Sequence, residues 1–268
     1  MDVKPLVAKI PLPSFGEMYL LRCLIGRDIK IKYQRSVLGL AWSMLNPMVL
    51  LGCYWFVFGW VLDIGGSGDA DYLYYLIAGI IPWVAISQSV TAGTSSLVAN
   101  ISVYQNIRCN LYIFPLASVA SELSLLVAMI PAMVICFRLG GVDIPLVQSI
   151  VLATLCLLVT VVVLGGWLIF LSVINVFVRD IQYIVGTGLT LVFFSHPIVY
   201  RVDLAPPIYA EVIQWSPIFN IITAWRSAFG VDTFQAENIM ILLVWCLIGW
   251  LCAAVSLARL GRFVREVS

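Results

Sequence analysis

Glu122 and His196 are the only acidic or basic side chains inside the long apolar stretches of this sequence. A charge near the middle of a bilayer costs about 2.5 to 3.5 kcal/mol unless it is paired, hydrated or protonated. Glu122 is therefore expected either to be a neutral carboxyl bonded to Ser118, Ser121 or another helix, or to line a wet pathway. His196 directly precedes Pro197, where a helix should end, and is interpreted as a structural residue.

These two groups do not make an enzyme site. The sequence contains no H-E-x-x-H or G-x-S-x-G motif, and an ion-coupled transporter would be expected to bury several carboxylates. A P-loop needs a lysine directly after a glycine, but all four lysines lie within the first 32 residues and none follows glycine. The sequence predicts a protein that is not an enzyme, with no cofactor or metal of its own.

The composition excludes a water-soluble globule. Hydrophobic residues make up 62% of the 268 residues and charged residues 11%, with a mean hydropathy of +1.03. Soluble domains carry about 25% charged residues because their surface faces water. The chain is therefore expected to be an all-α integral membrane protein surrounded by membrane lipid. A formal net charge of +1 also argues against nucleic acid as a partner.

Six stretches approach or exceed the roughly 20 apolar residues that a membrane-spanning helix needs. They cover about 38–62, 72–99, 111–137, 145–178, 181–200 and 238–258. This pattern predicts a transmembrane domain of six spans over 38–258. An N-terminal cytoplasmic segment, 1–37, precedes this domain, and a cytoplasmic tail, 259–268, follows it.

The distribution of basic residues predicts the orientation. If both termini are cytoplasmic, 12 of the 15 basic residues fall in inside segments. Cytoplasmic loops are enriched in Lys and Arg. We therefore expect cytoplasmic termini and a multi-pass protein of the inner, cytoplasmic membrane.

The stretch 201–237 is apolar but interrupted by prolines. Pro206-Pro207 and Ser216-Pro217 divide it, with Ser216 at an N-cap position and Pro217 at the first helical position. A seventh span would also move the basic C-terminal tail outside. The pattern instead predicts two short helices between spans five and six that lie in the outer interface or re-enter the membrane.

A second helix boundary is visible before the first span. Ser14 and Glu17 have the spacing of a capping box and should open an amphipathic helix on the cytoplasmic face. Such a helix either anchors the chain to the membrane surface or forms a docking surface for a cytoplasmic partner.

Aromatic residues cluster near the predicted outer ends of the first, second and fifth spans. They form either an interfacial belt facing lipid headgroups or stacking surfaces for sugar rings along a pathway. In the second case the candidate pathway residues are Tyr54, Trp55, Phe58, Tyr75, Trp83 and Phe194, together with Glu122. The first three are spaced i, i+1 and i+4 and are expected to share one helix face.

A series of short motifs runs along nearly the whole chain. They are Gly26-Arg27-Asp28-Ile29-Lys30-Ile31-Lys32-Tyr33, Ser36-Val37-Leu38-Gly39-Leu40-Ala41-Trp42, Asn46-Pro47, Gly79-Ile80-Ile81-Pro82-Trp83, Phe114-Pro115-Leu116, Asn175 with Arg179-Asp180, and Ser195-His196-Pro197-Ile198-Val199-Tyr200. In this order, with six spans, the chain resembles permeases of polysaccharide-exporting ATP-binding-cassette transporters. These include O-antigen, capsule and teichoic-acid exporters.

The resemblance implies a homodimer that moves a lipid-linked glycan outward. Two separate ATPase subunits, which bind ATP and Mg²⁺, would dock on the N-terminal helix and on the loop between spans two and three. The corresponding residues here are Arg27, Lys30, Arg35, Tyr104, Gln105 and Arg108. The alternatives are a lipid or drug exporter, an ion-coupled secondary transporter that requires Glu122, and a membrane scaffold without transport activity.

Overall fold

The computed structural model describes residues 14–34, 39, 41–62, 70–107, 109–142 and 145–264. Every regular element in these ranges is helical, which confirms the all-α prediction. The helices are α1 (Phe15–Tyr33), α2 (Ala41–Tyr54), α3 (Ala70–Ala99), α4 (Ile101–Asn106), α5 (Ile113–Leu139), α6 (Leu146–Phe177), α7 (Ile181–Ser195), α8 (Pro207–Ile213), α9 (Pro217–Ala228) and α10 (Ala236–Leu260). A π-helix, Trp55–Val61, continues α2, and a 3₁₀ turn, Val202–Leu204, precedes α8.

Five helical segments in the described ranges are long and apolar enough to cross a membrane. They are Met44–Val61, Asp71–Ala99, Ile113–Leu139, Leu146–Phe177 and Ala236–Leu260. The predicted fifth span, 181–200, is shorter than expected, because α7 has 15 residues and is about 22 Å long. It ends before Pro197, which has no N–H to continue the helix, and His196 is already extended at φ −97° and ψ 147°.

α3 is the central helix of the bundle. It packs against α2, α5, α6, α7 and α9, and most of its residues are buried inside the protein. Small residues allow this close packing. A Cβ atom at Gly93 would lie 2.9 Å from the Leu168 side chain of α6, and one at Gly79 would lie 3.0 Å from the carbonyl oxygen of Ile198. Close packing at the centre of the fold therefore requires glycine at two positions along α3.

α6 and α10 meet backbone to backbone. A Cβ atom at Gly166 would lie 2.6 Å from the backbone nitrogen of Trp250, and one at Gly249 would lie 2.7 Å from the Trp167 ring. On either side of this contact, Trp167 Nε1 donates to the Trp245 carbonyl at 3.1 Å and Trp250 Nε1 donates to the Val162 carbonyl at 2.9 Å. A larger residue at Gly166 would push the two helices apart, and one at Gly249 would displace the Trp167 ring.

The first span lies at the edge of the bundle. Only 11% of Met44–Val61 is buried by the rest of the chain. Its exposed apolar side chains include Trp42, Val49, Phe56 and Trp60. Much of its surface is therefore left for lipid or for another protein chain.

The segment between α7 and α10 contains the two short helices predicted there. α9 begins at Pro217 with Ser216 in the N-cap position, as the sequence indicates. The Ser216 hydroxyl does not cap the helix; it lies 2.6 Å from Nε2 of His196. His196 Nδ1 lies 2.9 Å from the Val192 carbonyl, which requires a proton on Nδ1 and makes Nε2 the acceptor. His196 thus joins the end of α7 to the start of α9, as expected for a structural residue.

Candidate substrate groove and docking face

A groove opens between α2, α3 and α7. Its volume is about 330 Å³, and it is lined by Asn46, Leu50 and Tyr54 of α2, Ile80, Trp83, Val84, Ser87 and Gln88 of α3, and Leu189, Thr190, Phe193 and Phe194 of α7. Three of the predicted pathway aromatics, Tyr54, Trp83 and Phe194, meet here. The lining combines aromatic rings with amide and hydroxyl groups, which suits a ligand that has both C–H faces and hydroxyls.

The rings in the groove are organised around Phe193. Its ring centroid lies 5.2 Å from that of Tyr54, 5.8 Å from Trp83 and 5.2 Å from Phe194. Phe193 is buried, whereas Phe194 is 61% exposed and available to a ligand. Phe193 was not among the predicted pathway residues, because adjacent aromatic residues on a helix point about 100° apart and spacing alone does not show which one faces inward.

Tyr54, Trp55 and Phe58 do not act as one surface. Tyr54 and Phe58 are partly buried, with ring centroids 6.1 Å apart, and pack on the core. Trp55 is 38% exposed and does not line the groove. The π-helix begins at Trp55, and its wider turn changes the register on which the predicted common face depended.

Tyr75 lies away from this groove. Its hydroxyl donates to the Tyr200 carbonyl at 2.7 Å and lies 3.1 Å from the Pro197 carbonyl, and the Arg226 guanidinium lies 3.5 Å from its ring centroid. Its hydroxyl group and its aromatic ring are therefore both in contact with other parts of the protein. Tyr75 holds the segment after α7 in place beside a second cavity.

Glu122 is paired with a cation from the N-terminal helix. Lys32 Nζ lies 2.5 Å from Glu122 Oε2 and also donates to Gln88 Oε1 at 3.2 Å. The Glu122 side chain is 13% exposed and that of Lys32 36% exposed. Since Gln88 lines the groove, this ion pair connects α1 and α5 to one end of the groove. Of the partners expected for Glu122, the structure shows one on another helix, Lys32 of α1, rather than Ser118 or Ser121.

α1 lies lengthwise along the first part of α5. The predicted capping box is confirmed: Ser14 and Glu17 each accept from the backbone of the other. Glu17 Oε1 also accepts from the backbone nitrogen and side-chain amide of Asn110, at 3.0 and 2.5 Å. With Lys32 bonded at the other end, α1 is attached to the bundle at both ends.

The middle of α1 is attached as well. Arg27 donates to Asn100 Oδ1 at 2.6 Å and pairs with Asp28 at 2.7 Å. Leu24 is buried among residues from the end of α3 and the start of α5, including Leu97 and Phe114. The apolar side of α1 therefore packs on protein as well as on any membrane surface.

The residues predicted to dock an ATPase have different environments. Lys30 and Gln105 are exposed, and Arg27 is partly buried by its contact with Asn100. Tyr104 is buried, and its ring lies edge-on to that of Phe114 with the ring centroids 6.3 Å apart. It therefore stabilises this region from inside the protein. Arg35 and Arg108 lie outside the described residues.

We expect Glu17→Ala to release the loop that precedes α5. Hydrogen bonds to a charged group contribute about 1.5 to 3 kcal/mol, which corresponds to at least about a tenfold change in an opening equilibrium. Hydrogen–deuterium exchange of peptides covering 107–112 should therefore become at least about tenfold faster. Ser14→Ala, which leaves the Glu17–Asn110 bonds in place, is the matched control. Equal exchange in wild type and Glu17→Ala would contradict the contact.

The same contact has a defined pH dependence. Burial of Glu17 raises its pKa, but the hydrogen bonds from Ser14 and Asn110 outweigh this and hold the pKa below its ordinary value of 4.5. A carboxyl with a lower pKa in the folded protein stabilises the fold above its ordinary pKa. Protection of the loop, corrected for intrinsic exchange, should be constant from about pH 8 to 5 and fall only below about pH 4.5.

The sequence matches the ABC-2 type transporter family over residues 19–230. This match covers most of the chain and five of the six predicted spans. The chain belongs to the ABC-2 type transporter family, whose members are multi-pass transport permeases.

Curated relatives extend over nearly the same length. The O-antigen export system permease protein RfbA of Klebsiella pneumoniae is 29% identical over 223 residues, which are 83% of this chain and 85% of that protein. A protein of the same name from Myxococcus xanthus is 25% identical over 252 residues, 92% of this chain and 95% of its own. The polysialic acid transport protein KpsM of Escherichia coli is 21% identical over 209 residues, 76% of this chain and 79% of its own. The resemblance stated from the motifs is thereby confirmed.

Proposed function

We propose that this chain is the permease subunit of an ATP-binding-cassette exporter that moves a lipid-linked, O-antigen-like polysaccharide across the cytoplasmic membrane. The observation that carries the proposal is membership of the ABC-2 family together with similarity to O-antigen export permeases over most of both chains. The groove supports it, because Tyr54 and Phe194 offer aromatic faces beside the polar Asn46, Ser87 and Gln88.

The pathway in this proposal lies between two copies of the chain. The first span is largely uncovered and carries one wall of the groove, so a second copy placed against it would enclose a passage. Membrane lipid would contact the remaining faces of α10 and α6. A homodimer is therefore the assembly that the exposed first span favours.

Energy would come from two separate ATPase subunits that bind ATP and Mg²⁺. In this proposal they dock on α1 and on the region of α4, where Lys30 and Gln105 are exposed. A movement of α1 would reach the groove directly, because Lys32 bonds to Gln88 and Glu122. The permease transmits the force and performs no chemistry.

We infer a topology with six spans, α7 being the short one, and with both termini inside. The packing of α9 against α3, α6 and α10 supports re-entry of the outer segment into the bundle. In a chain whose native cysteines are replaced by serine, Asp232→Cys should react with a membrane-impermeant maleimide in intact cells. Arg262→Cys should react only after the cells are opened. Labelling of Arg262→Cys from outside would contradict this topology.

The proposed function is tested by deleting the gene in a strain that makes the polysaccharide. We expect surface polysaccharide to disappear and lipid-linked glycan to accumulate inside, and expression of this chain should restore export. A variant of the partner ATPase that cannot hydrolyse ATP should give the same accumulation. Normal surface polysaccharide in the deletion strain, with loss of a lipid or drug export activity instead, would contradict the proposal.

A further inference from the structure

A second and larger cavity lies at the end of the bundle proposed to face outward. It has a volume of about 640 Å³ and is formed by the start of α3, the segment after α7, and the region from α9 to α10. Ionisable side chains of both signs line it: Asp71, Asp203, Asp232, Glu237, Arg201 and Arg226. Its volume is in the range of small-molecule sites, which is about 300 to 1,000 Å³.

Two polar atoms at the wall of this cavity are buried without a protein partner. Thr223 Oγ1 and Arg226 Nε make no hydrogen bond within the described part of the chain, and their residues are 4% and 2% exposed. Leaving such a group unsatisfied costs about 1 to 3 kcal/mol. Both side chains line the cavity, where a bound molecule could supply the missing bonds.

Arg226 is held rigidly for such a role. Its Nη2 donates to the Ile198 carbonyl at 3.0 Å, and its guanidinium carbon lies 3.5 Å from the Tyr75 ring centroid. A Cβ atom at Gly79 would come within 2.8 Å of Nη2, so the glycine makes room for the guanidinium. The unpartnered Nε is therefore fixed beside the cavity.

The residues that line this cavity favour one class of ligand. Four carboxylates against two guanidinium groups disfavour an anion, and the charged wall disfavours an acyl chain. A hydroxyl group both donates and accepts, so it can bond to carboxylates, to Arg226 Nε and to Thr223 Oγ1. Phe219 adds an apolar surface on which the C–H face of a sugar ring can pack.

We infer that this outer cavity binds a short, uncharged stretch of the polysaccharide as it leaves the pathway. The inference rests on the proposed function and adds a second glycan site, separate from the groove between α2, α3 and α7. The polysaccharide made by the cell is the ligand used in the test, so its sugar composition need not be known in advance.

The test introduces a photo-crosslinking residue at two places in the full chain in exporting cells. Gln214→p-benzoylphenylalanine puts it at the outer cavity, and Phe194→p-benzoylphenylalanine puts it in the groove. We expect glycan adducts at both, detected as a mass shift that carries polysaccharide. Leu247→p-benzoylphenylalanine, on the exposed face of α10, is the control and should give none.

A second change tests the cavity itself. Thr223→Val keeps the shape of the side chain and removes a hydroxyl without a protein partner, so the fold should be retained. It should lower the adduct at position 214 about five- to tenfold and leave the adduct at position 194 unchanged. Thr154→Val, which removes a hydroxyl bonded to the Ile150 carbonyl on an exposed helix face, should change neither.

The outcomes separate the two proposals. Adducts at 194 without adducts at 214 would overturn the outer site alone, and so would equal adducts at 214 and 247. An unchanged yield at 214 in Thr223→Val would also overturn it. No glycan adduct at either site, in a chain that still runs as a folded species in size-exclusion chromatography, would count against the proposed function.

Discussion

Reversing either charge of the Lys32–Glu122 pair is expected to lower surface polysaccharide at least about tenfold. Lys32→Glu or Glu122→Lys would place two like charges where Nζ and Oε2 now lie 2.5 Å apart. An uncompensated charge at membrane depth costs about 2.5 to 3.5 kcal/mol, and about 1.4 kcal/mol corresponds to a factor of ten. Surface polysaccharide is measured by antibody or lectin binding and normalised to the amount of permease in the membrane.

The double variant Lys32→Glu/Glu122→Lys is the decisive comparison. It restores opposite charges at the same two positions and should recover export to within a few-fold of wild type. A reversal at Glu211, which is exposed on α8 and outside both proposed sites, should have little effect. A double variant whose loss equals the product of the two single-variant factors would show that the two residues act independently and would contradict the pair.

Neutral replacements of Glu122 separate an ion pair from proton coupling. Glu122→Gln keeps an oxygen that can accept from Lys32 Nζ, so it should retain more export than Glu122→Leu. A proton-coupled carrier would lose transport in the Gln variant because no proton could be carried. Full activity of Glu122→Leu would remove any role for the pair in export.

Removing two of the aromatic rings that line the groove, Tyr54 and Phe194, should slow export by about tenfold in total. Ring stacking contributes about 0.5 to 1.5 kcal/mol between aromatic partners, and we expect less for a sugar. Tyr54→Ala and Phe194→Ala should each reduce the initial rate of export about two- to fourfold, and the double variant about tenfold. The rate is measured by pulse labelling of the glycan and by its appearance at the cell surface.

The control for this prediction is a pair of large apolar side chains on α10, which faces lipid in the proposed homodimer. Leu247 and Leu251 are exposed and lie outside the groove. Their double replacement by Ala should leave the rate within about twofold of wild type, and Trp55→Ala should have less effect than Tyr54→Ala. A normal rate in the Tyr54/Phe194 double variant would remove the argument that the groove contacts sugar.

The features that could be predicted from the sequence are local ones. Stretches of apolar residues marked the spans because lipid excludes charge along a whole helix. The Ser14–Glu17 capping box and the start of α9 at Pro217 were also predicted, since each depends on residues three positions apart or closer. The fifth span was predicted to extend to residue 200 because hydrophobicity continues past Pro197, although the helix itself ends before that proline.

The contacts that define the site could not be predicted from local sequence patterns. Lys32 and Glu122 are 90 positions apart, and no local pattern pairs them. Tyr75 lies in an aromatic cluster like the others, but Arg226 covers its ring, and only the packing of α9 against α3 shows this. The π-helix changes which side Trp55 faces, and its start at that residue has no clear marker in the sequence.

The contact between Gly166 and Gly249 also determines which parts of the permease can move. Two helices whose backbones touch cannot slide or rotate against each other without separating, so α6 and α10 behave as one rigid body. α2 and α7, by contrast, lie against α3 with much of their outer surface exposed. In the proposed exporter we therefore expect a passage for the glycan to open by displacement of α2 and α7, while α6 and α10 stay together as the part of the bundle against which they move.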